Sequence, residues 1–412
     1  MLKPYNQLHT GETWPQIERS TACLPLQYVK FIPRTAMQRN FENSLLGLDL
    51  LELSKLMVEC GEPSYRADQI FQSLYRQRVN DLDAISTLPR SLRGQLAQQY
   101  STGQPKIEQK FQSTDGTVRY LMLLADGETI ETVWMPEGDG GEAGDGSEAA
   151  TESEGGEHGW SRGTICVSSQ VGCAVDCKFC LTALLKVRRN LTAGEIVGQV
   201  CAVLNDQNAH PPNDRVNLVF MGMGEPFLNY DNFIKAVRLL VDGVGIPEVR
   251  MTVSTAGIVP RIYEFGQEAV RPKLAISLNA SNDGLRTELM PINRKWDTEK
   301  LLAAAREFPL RNREKLTFEY VLLKDVNDSA SHARELAELI RGIRAKVNLI
   351  ALNPGPEIGF EIPETDRVQQ FKQILTDAGI PAFVRRPRGR DIYAACGQLK
   401  RTVELVSLQA TS

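Results

Sequence analysis

The sequence predicts an α/β protein: an open (β/α)6 partial TIM barrel, preceded by a helical accessory domain and a short β meander. Three observations support this prediction. Between residues 160 and 390, apolar strand patterns alternate with helical patterns six times, which is typical of a parallel sheet covered by helices. Residues 46–105 have helical periodicity, and residues 106–136 contain three strand patterns joined by Asp-Gly turns.

The part before the barrel divides into an extension and the helical domain. Residues 1–45 lack sustained periodicity, so we expect a loosely ordered extension. In LDLLELSKLMVECGE, apolar residues recur with a period of 3.6, which predicts a helix that Gly61 ends. We expect Ser64 to cap the next helix, SYRADQIFQSLYRQR. Basic residues on its outer faces make the domain, residues 46–105, a candidate for RNA binding.

The predicted meander consists of IEQKFQS, TVRYLMLL and ETIETVWM, with turns at Asp115-Gly116 and Asp126-Gly127. An acidic insertion, residues 137–159, follows. Its composition of acids, glycine and serine cannot bury enough apolar surface to fold, so we expect a disordered loop; an acidic mimic of RNA is the alternative. The formal net charge is −4, but without the eight acids of this tract 47 basic residues face 43 acidic ones. That balance permits nucleic-acid binding.

The barrel region, residues 160–390, has no sign of a doubly wound crossover, so an open six-unit barrel is the simplest closure. In such barrels the active site lies at the C-terminal ends of the strands. The informative motifs all follow predicted strands, and a C-terminal segment, residues 391–412, comes after them. The six strand patterns are GTICVSS, VNLVFMG, VRMTVST, KLAISLN, LTFEYVLL and VNLIAL.

The composition indicates a soluble protein of a reducing compartment. Apolar residues make up 42% and charged residues 24% of the chain, and no apolar run approaches the roughly 18–20 residues of a membrane span. The N-terminus lacks the apolar core of a secretory signal. We therefore expect a cytoplasmic protein without membrane contact, in which clustered cysteines bind metal or perform redox chemistry.

Three cysteines, Cys173, Cys177 and Cys180, have the spacing C-x3-C-x2-C. A loop of this kind can hold one face of a cubane iron–sulfur cluster and leave one iron open for a small molecule. A structural zinc site is the alternative, but it normally has four ligands, and no fourth ligand lies at a zinc-like spacing. The four histidines are scattered: His9, His158, His210 and His332.

Seven motifs carry a resemblance to a known family: "CVSSQVGCAVDCKFC", "RNLTAGEIVGQV", "MGMGEP", "LAISLNA", "LMPIN", "VNLIALNPGP" and "DIYAACGQL". The cysteine motif, with Phe179 before its last cysteine, resembles the radical S-adenosylmethionine (SAM) superfamily. Together the motifs, from Leu46 to Lys400, resemble the RlmN/Cfr family of RNA adenine C2 methyltransferases. "AACGQL" and "SSQVGC" are its most specific motifs.

The resemblance implies one [4Fe-4S] cluster with three cysteine ligands and SAM on the open iron. It implies two SAM molecules per turnover, one as methyl donor and one as radical source. The substrates would be an adenosine in the peptidyl-transferase loop of 23S rRNA and the adenosine 3′ to the anticodon in tRNA. An electron donor such as flavodoxin or ferredoxin would reduce the cluster, and we expect a monomer.

The resemblance also assigns roles to the cysteines outside the cluster. Cys396 would carry the methyl group, and a radical on that methyl would add to C2 and link the RNA covalently to the protein. Cys166 would then release the product through a transient disulfide with Cys396, because exchange at sulfur requires a thiolate. Glu131 would accept the C2 proton, with Cys166 as a competing candidate and a solvent-facing carboxylate as the structural alternative. Cys23, Cys60 and Cys201 are interpreted as buried apolar residues.

The residues expected to bind SAM follow the strands. Gly222 and Gly224 let the backbone approach the methionine moiety closely, and Glu225 can accept a hydrogen bond from its ammonium group. Polar groups for ribose, carboxylate and adenine come from four side chains and from the backbone of Leu278. The four side chains are those of Ser254, Ser277, Asn279 and Asn353.

A basic run close to Cys396 predicts phosphate contacts, which position RNA without reading its sequence; a solvated basic face is the alternative. The run consists of Arg385, Arg386, Arg388 and Arg390. Two other functions remain open at this point. The C8-methylating branch of the same family would use the same cysteines, and a structural metal-binding RNA module would need no catalysis.

Overall fold

The fold is built on one ten-stranded sheet, seen in a computed structural model that describes residues 43–136 and 162–399. The strand order is β1-β2-β3-β4-β7-β8-β9-β10-β11-β12, and β5 pairs separately with β6. The strands are β1 (Lys106–Gln112), β2 (Val118–Leu123), β3 (Thr129–Pro136), β4 (Gly163–Cys166), β5 (Gln170–Val171), β6 (Arg189–Asn190), β7 (Val216–Phe220), β8 (Met251–Thr255), β9 (Lys273–Ser277), β10 (Leu316–Leu322), β11 (Ala345–Ala351) and β12 (Ala382–Val384).

Seven of these strands are parallel neighbours, from β4 through β12. All six predicted barrel strands are present, which confirms the α/β prediction. The sequence did not reveal the seventh, β12, which has only three residues. It pairs with β11 through Val347 and Ala382, and it brings the arginine run to the end of the barrel.

The meander is part of the barrel sheet rather than a separate unit. Its last strand pairs antiparallel with the first barrel strand, with Val133 opposite Cys166 and Pro136 opposite Gly163. The Cβ of any residue at Gly163 would lie 2.5–2.7 Å from ring atoms of Trp134, so the aromatic ring packs directly on this backbone. The meander therefore forms one wall beside Cys166.

The helices are α1 (Leu50–Glu59), α2 (Arg66–Phe71), α3 (Arg90–Gln99), α4 (Leu181–Leu184), α5 (Ala193–Asp206), α6 (Tyr230–Leu239), α7 (Val259–Gly266), α8 (Asp283–Leu289), α9 (Thr298–Glu307), α10 (Ala330–Leu339) and α11 (Thr365–Asp377). Asp49 caps α1 in a reciprocal capping box with Glu52. The expected Ser64 cap is wrong: α2 begins after Tyr65 without a side-chain cap and continues as a π-helical turn, Gln72–Arg76.

The helical region is anchored to the barrel through Arg78. Within the region, the Tyr75 hydroxyl accepts a hydrogen bond from Gly47 N–H and donates one to Leu48 C=O. The buried Arg78 donates to the Asn205 side chain at the end of α5. Leu45 is fully buried, so the last residue of the predicted extension packs in the core.

Other predictions fall outside the region that the structure describes. They concern residues 1–42, the whole acidic insertion, and residues 400–412. Among the described helices, none is both long and apolar enough to cross a membrane.

Candidate active site

The C-terminal ends of the parallel strands surround one cavity, here called the cluster cavity. It brings together eleven of the fourteen residues predicted from the sequence to form the site. These are Cys173, Cys177, Cys180, Gly222, Gly224, Glu225, Ser254, Ser277, Asn279, Asn353 and Cys396. The other three, Cys166, Leu278 and Glu131, are not among its lining residues.

The loop of three cysteines is shaped by local contacts. Gly172 has φ +79°, and a Cβ there would collide with the backbone of Lys186, so the turn before Cys173 requires glycine. The Val175 N–H lies 3.4 Å from Cys173 Sγ. Lys178 N–H donates to Leu289 C=O at the end of α8 (3.0 Å). These contacts hold the loop against α8.

The donor set fits an iron–sulfur cluster. Burial raises the pKa of Cys173 to about 12 and holds that of Cys177 well above its usual range, and the neighbouring cysteines act in the same direction. Thiols with pKa values raised in this way ionise together only when a cationic group binds them. Within residues 43–136 and 162–399, no three His, Cys, Asp or Glu side chains form a site for a single metal ion. A cubane does not require such a site, because each of its cysteine thiolates binds a different iron atom and the three sulfurs need not converge on one point.

The "SSQ" of "SSQVGC" supports the glycine loop after β7. Ser169 N–H donates to Met223 C=O (2.8 Å), and Gln170 Oε1 accepts from Glu225 N–H (3.0 Å). Gly224 has φ +99°, and a Cβ there would lie 2.6 Å from Gln170 Cβ. Both backbone angle and space therefore require glycine. Gly222 also lines the cavity, with Val167 and Ser168 packed against it.

Glu225 is a buried carboxylate at the wall of the cluster cavity. Its Oε1 accepts from Phe227 N–H (3.0 Å), and its Oε2 accepts from Ala256 N–H (2.6 Å). Burial raises its pKa to about 7, although these hydrogen bonds act in the opposite direction. An approaching ammonium group would favour the ionised form.

Ser254 and Ser277 lie beside each other at the ends of β8 and β9, with their hydroxyl oxygens 3.2 Å apart. Ser254 also donates to Glu319 Oε2 (2.9 Å), and Arg385 Nη1 lies 3.3 Å from Glu319 Oε1. Glu319 was not predicted from the sequence. The signal was present, because it is the one charged residue in the strand pattern LTFEYVLL, which is otherwise uncharged.

Asn279 and Leu278 are held by the fold. Asn279 has φ +57°, and its Oδ1 accepts from Val321 N–H (2.8 Å), so this side chain shapes the cavity wall. The Leu278 N–H donates to Glu319 C=O, and its carbonyl accepts from Arg286. The backbone groups expected of Leu278 for SAM are thus already bonded within the protein.

A second cavity, here called the thiol cavity, adjoins the first. It is lined by Cys166 at the end of β4 and by Cys396, and Cys396 lines both cavities. Cys166 is buried, whereas Cys396 is exposed. Burial raises the pKa of Cys166 to about 12, and the neighbouring Cys396 adds to this. The structure thus brings the two unusual cysteines to the wall of one cavity, which Cys180 of the cluster motif also lines.

The C-terminal segment is tied down on both sides of Cys396. Asn353 Nδ2 donates to Cys396 C=O (3.2 Å), and Gln398 Nε2 donates to Pro354 C=O (2.7 Å). Thr182 in α4 donates to Leu399 C=O (2.7 Å). These bonds connect Cys396 to the β11 end and to the helix that follows Cys180.

Glu131 is not solvent-facing, so that structural alternative is wrong. It is fully buried in β3 and forms an ion pair with Arg119 of β2. It is absent from the lining of both the cluster cavity and the thiol cavity. Its main-chain carbonyl accepts from Ser168 Oγ (2.6 Å), which links it to the "SSQ" segment.

The arginine run divides between the interior and the surface. Arg385 points inward to Glu319, Arg388 donates to Pro136 C=O and Arg390 to Leu352 C=O. Arg386 is exposed. Cys201 is fully buried in α5, as expected, whereas Cys60 is only half-buried; Cys23 lies outside the described residues.

Two family models match the chain. The Radical SAM superfamily model matches residues 167–340, and the model of the ribosomal RNA large subunit methyltransferase N-terminal domain matches residues 43–101. The second match falls on the region of α1–α3, and the first begins directly after β4.

Three similar proteins span most of the chain. A probable dual-specificity RNA methyltransferase RlmN of Koribacter versatilis is 64% identical over 85% of this chain and 100% of its own length. The dual-specificity RNA methyltransferase RlmN of Campylobacter jejuni strain RM1221 is 43% identical over 84% of this chain and 96% of its own. The crystal structure of a radical SAM methyltransferase from Sphaerobacter thermophilus is 42% identical, with a TM-score of 0.79, covering 87% of this chain and 100% of that one.

Proposed function

This chain belongs to the RlmN family of radical SAM RNA methyltransferases, and we propose that it methylates C2 of adenosine in RNA through a methylated cysteine. The proposed substrates are an adenosine of the peptidyl-transferase loop of 23S rRNA and the adenosine 3′ to the anticodon in tRNA. The observation that carries the proposal is the position of Cys396, which lines both the cluster cavity and the thiol cavity.

We propose that Cys173, Cys177 and Cys180 hold one [4Fe-4S] cluster in the cluster cavity. When bound and reduced by a donor such as flavodoxin or ferredoxin, the cluster supplies the electron that cleaves SAM to a 5′-deoxyadenosyl radical. Around it, the glycine loop offers backbone to the methionine moiety, and Glu225 accepts from its ammonium group. Ser254, Ser277, Asn279 and Asn353 line the same cavity and would contact the rest of the cofactor.

Cys396 is the proposed carrier of the methyl group. A displacement reaction cannot methylate C2 of adenine, because this carbon has no lone pair to attack a sulfonium methyl. Cys396 would therefore take the methyl from one SAM, and the second SAM would serve to activate it. Its exposure allows an RNA base to reach it, and a base stacked within RNA must first be turned outward.

Cys166 is the proposed resolving thiol. It shares the thiol cavity with Cys396, so its sulfur can attack that of Cys396 when the base is attached. For the C2 proton, the geometry favours Cys166 over Glu131, because Glu131 is paired with Arg119 and does not line the cavity. Cys166 would lose that proton again before it attacks sulfur.

RNA binding is proposed for two regions. The α1–α3 region matches an N-terminal domain of ribosomal RNA methyltransferases, and the exposed Arg386 lies at the mouth of the thiol cavity. We propose that the protein acts as a monomer, with residues 160–390 as the catalytic core and residues 391–412 as the segment that carries Cys396.

The test is mass spectrometry of RNA after incubation with the anaerobically reconstituted enzyme, SAM and a reductant. We expect 2-methyladenosine in both 23S rRNA and tRNA. If 8-methyladenosine forms instead, the chain belongs to the C8-methylating branch. If neither base is modified while SAM is cleaved, the proposed substrates are wrong.

A further inference from the structure

The ion pair of Glu319 and Arg385 crosses the end of the barrel between the two cavities. Arg385 follows β12, and its backbone N–H donates to Leu349 C=O on β11 (2.8 Å). Its Nη1 atom lies 3.3 Å from Glu319 Oε1 and 3.8 Å from Met221 Sδ. Glu319 lines the cluster cavity and Arg385 lines the thiol cavity. The side chain of Arg385 is thus directed into the site.

The same guanidinium lies close to Cys166. Cys166, Met221 and Arg385 all line the thiol cavity. The Met221 N–H donates to the Cys166 sulfur and, like the charge of Arg385, lowers the pKa of that thiol. Burial, Cys396 and Glu319 act in the opposite direction. The other charged groups on this side are the Glu131–Arg119 pair in β3 and β2, and Arg386 and Arg388 at the cavity wall.

This arrangement matters because Cys166 must act as a thiolate. The thiolate, not the thiol, is the nucleophile in exchange at sulfur. Cys166 is buried at a site where its pKa would be about 12, so only a very small fraction is ionised at neutral pH. Among the largest influences on the pKa of Cys166, Arg385 is the charged group whose electrostatic effect favours the thiolate.

We propose that Arg385, held by Glu319, is a positioning residue that stabilises the thiolate of Cys166 for its attack on Cys396. The inference rests on the proposed resolving role of Cys166. By that stage the radical adduct would have lost the C2 proton and returned one electron to the oxidised cluster, so that it is a closed-shell thioether. The Cys166 sulfur then forms a bond to the Cys396 sulfur, and the bond from the Cys396 sulfur to the methylene carbon breaks. The electron pair of the broken bond stays on the methylene carbon, which takes up a proton and becomes the methyl group. The two sulfurs are oxidised to a disulfide and the carbon is reduced.

The test measures the reactivity of Cys166 without turnover. Reconstituted protein without SAM is treated with iodoacetamide between pH 6 and 10, and mass spectrometry of peptides measures alkylation of Cys166 separately from Cys396. We expect Arg385→Met to move the Cys166 profile to higher pH and to slow its alkylation at pH 8 about tenfold, as expected for one pKa unit. Arg385→Lys keeps the charge and should restore most of the rate.

Glu319→Gln provides a control of opposite sign. Glutamine can still accept from Arg385 but lacks the negative charge, so the Cys166 profile should move to lower pH. A loss of packing would instead change the alkylation rate in the same direction in Arg385→Met and in Glu319→Gln. Cluster absorbance verifies that each variant is folded.

Three results would overturn the inference: an unchanged profile in Arg385→Met, shifts of equal sign in Arg385→Met and Glu319→Gln, or no rescue by Arg385→Lys. Each leaves the proposed function standing. Conversely, normal turnover by Cys166→Ala would show that Cys166 is not the resolving thiol, whatever the alkylation profiles of the other variants. Failure of this inference and failure of the proposed function are therefore distinguishable.

Discussion

The backbone N–H of Leu181 donates a hydrogen bond to the carbonyl oxygen of Gly397, over 2.8 Å. Leu181 directly follows Cys180, the last of the three cluster cysteines, and Gly397 directly follows Cys396. A main-chain bond therefore couples the position of the proposed methyl carrier to the loop of the proposed cluster. Since Cys396 is exposed, this bond and its neighbours, rather than core packing, determine where its sulfur lies.

Gln398→Met should impair methyl transfer while the cluster remains intact. The Gln398 side chain is buried and donates to Pro354 C=O, and a typical hydrogen bond contributes about 0.5–1.5 kcal/mol. We expect methylation of Cys396 to slow a few-fold, with iron content and SAM binding unchanged. The measurement is the rate of methyl incorporation from labelled SAM. Gln373→Met on α11, which removes an exposed contact with Asp377, is the matched control and should not alter that rate.

Cys177→Ala should lose the cluster and all activity together. Three thiolates are the minimum for holding a cubane with one open iron, and burial holds the pKa of the free Cys177 thiol well above its usual range, so this side chain ionises only on binding a cationic group. Iron analysis and visible absorbance after anaerobic reconstitution measure the loss. Cys60→Ala, at the end of α1, should keep both. Full cluster absorbance in Cys177→Ala would refute the ligand assignment.

The sequence predicted the barrel because its signals are local. Apolar strand runs, a capping box such as that of Thr192 and Glu195 before α5, and glycines at tight turns can each be read within a few residues. The pairing of β3 with β4 is different, since it joins segments separated by the acidic insertion. No local pattern indicates such a partner. The three-residue β12 is likewise too short to show a periodic pattern of apolar residues.

Prediction of the candidate site from the sequence is limited in the same way. Motif spacing located the cysteines and the glycine loop, because those residues act through their type and their place after a strand. The environment of a side chain was not predictable: Glu131 pairs with Arg119 on the neighbouring strand, and Arg385 pairs with Glu319. Both pairings depend on long-range contacts between segments that are far apart in the sequence.

Affinity for SAM should depend on pH through Glu225. Without ligand its pKa is raised to about 7 by burial, so the carboxyl is protonated at lower pH. An ammonium ligand favours the carboxylate, and binding below pH 7 must therefore release a proton. We expect the affinity to increase about tenfold per pH unit up to about pH 7 and then to level off.

Equilibrium dialysis of labelled SAM against the oxidised, reconstituted protein between pH 5.5 and 8 measures this dependence. Glu225→Gln should bind more weakly, with a nearly flat profile. Glu288→Gln, an exposed acid on α8, is the control and should retain the wild-type profile. A flat profile in the wild type would argue against contact between Glu225 and the ammonium group.

Deletion of residues 139–156 should leave methylation of purified RNA within a few-fold of the wild type. The flanking residues Pro136 and Gly163 are paired directly across β3 and β4, so the eight residues that remain between them can close the connection. Shortening a loop changes its closure entropy only slightly. Rates with rRNA and with tRNA should be measured separately. Loss of activity with the cluster intact would show that the acidic insertion has a function in catalysis or RNA binding.

The last prediction separates the two cysteines of the thiol cavity. Cys396→Ala should assemble the cluster but accept no methyl group, and no RNA should become attached to it. Cys166→Ala should be methylated on Cys396 and should add to adenine. It should then stall, because no thiolate lies where it can attack the bridging sulfur. Mass spectrometry should detect a protein–RNA adduct that survives denaturation and contains one carbon from SAM.

The double substitution of Cys166 and Cys396 decides the order of these events. Adduct formation on Cys396 precedes resolution by Cys166, so the double variant should form no adduct. Cys201→Ala, which alters a buried cysteine of α5 outside both cavities, should turn over without accumulating one. Two outcomes contradict the assignment: normal turnover by Cys166→Ala, or an adduct that persists without Cys396. In either case a group other than the assigned cysteine would have to perform the step, and it would have to lie outside the three cluster ligands, because the reaction needs the cluster intact.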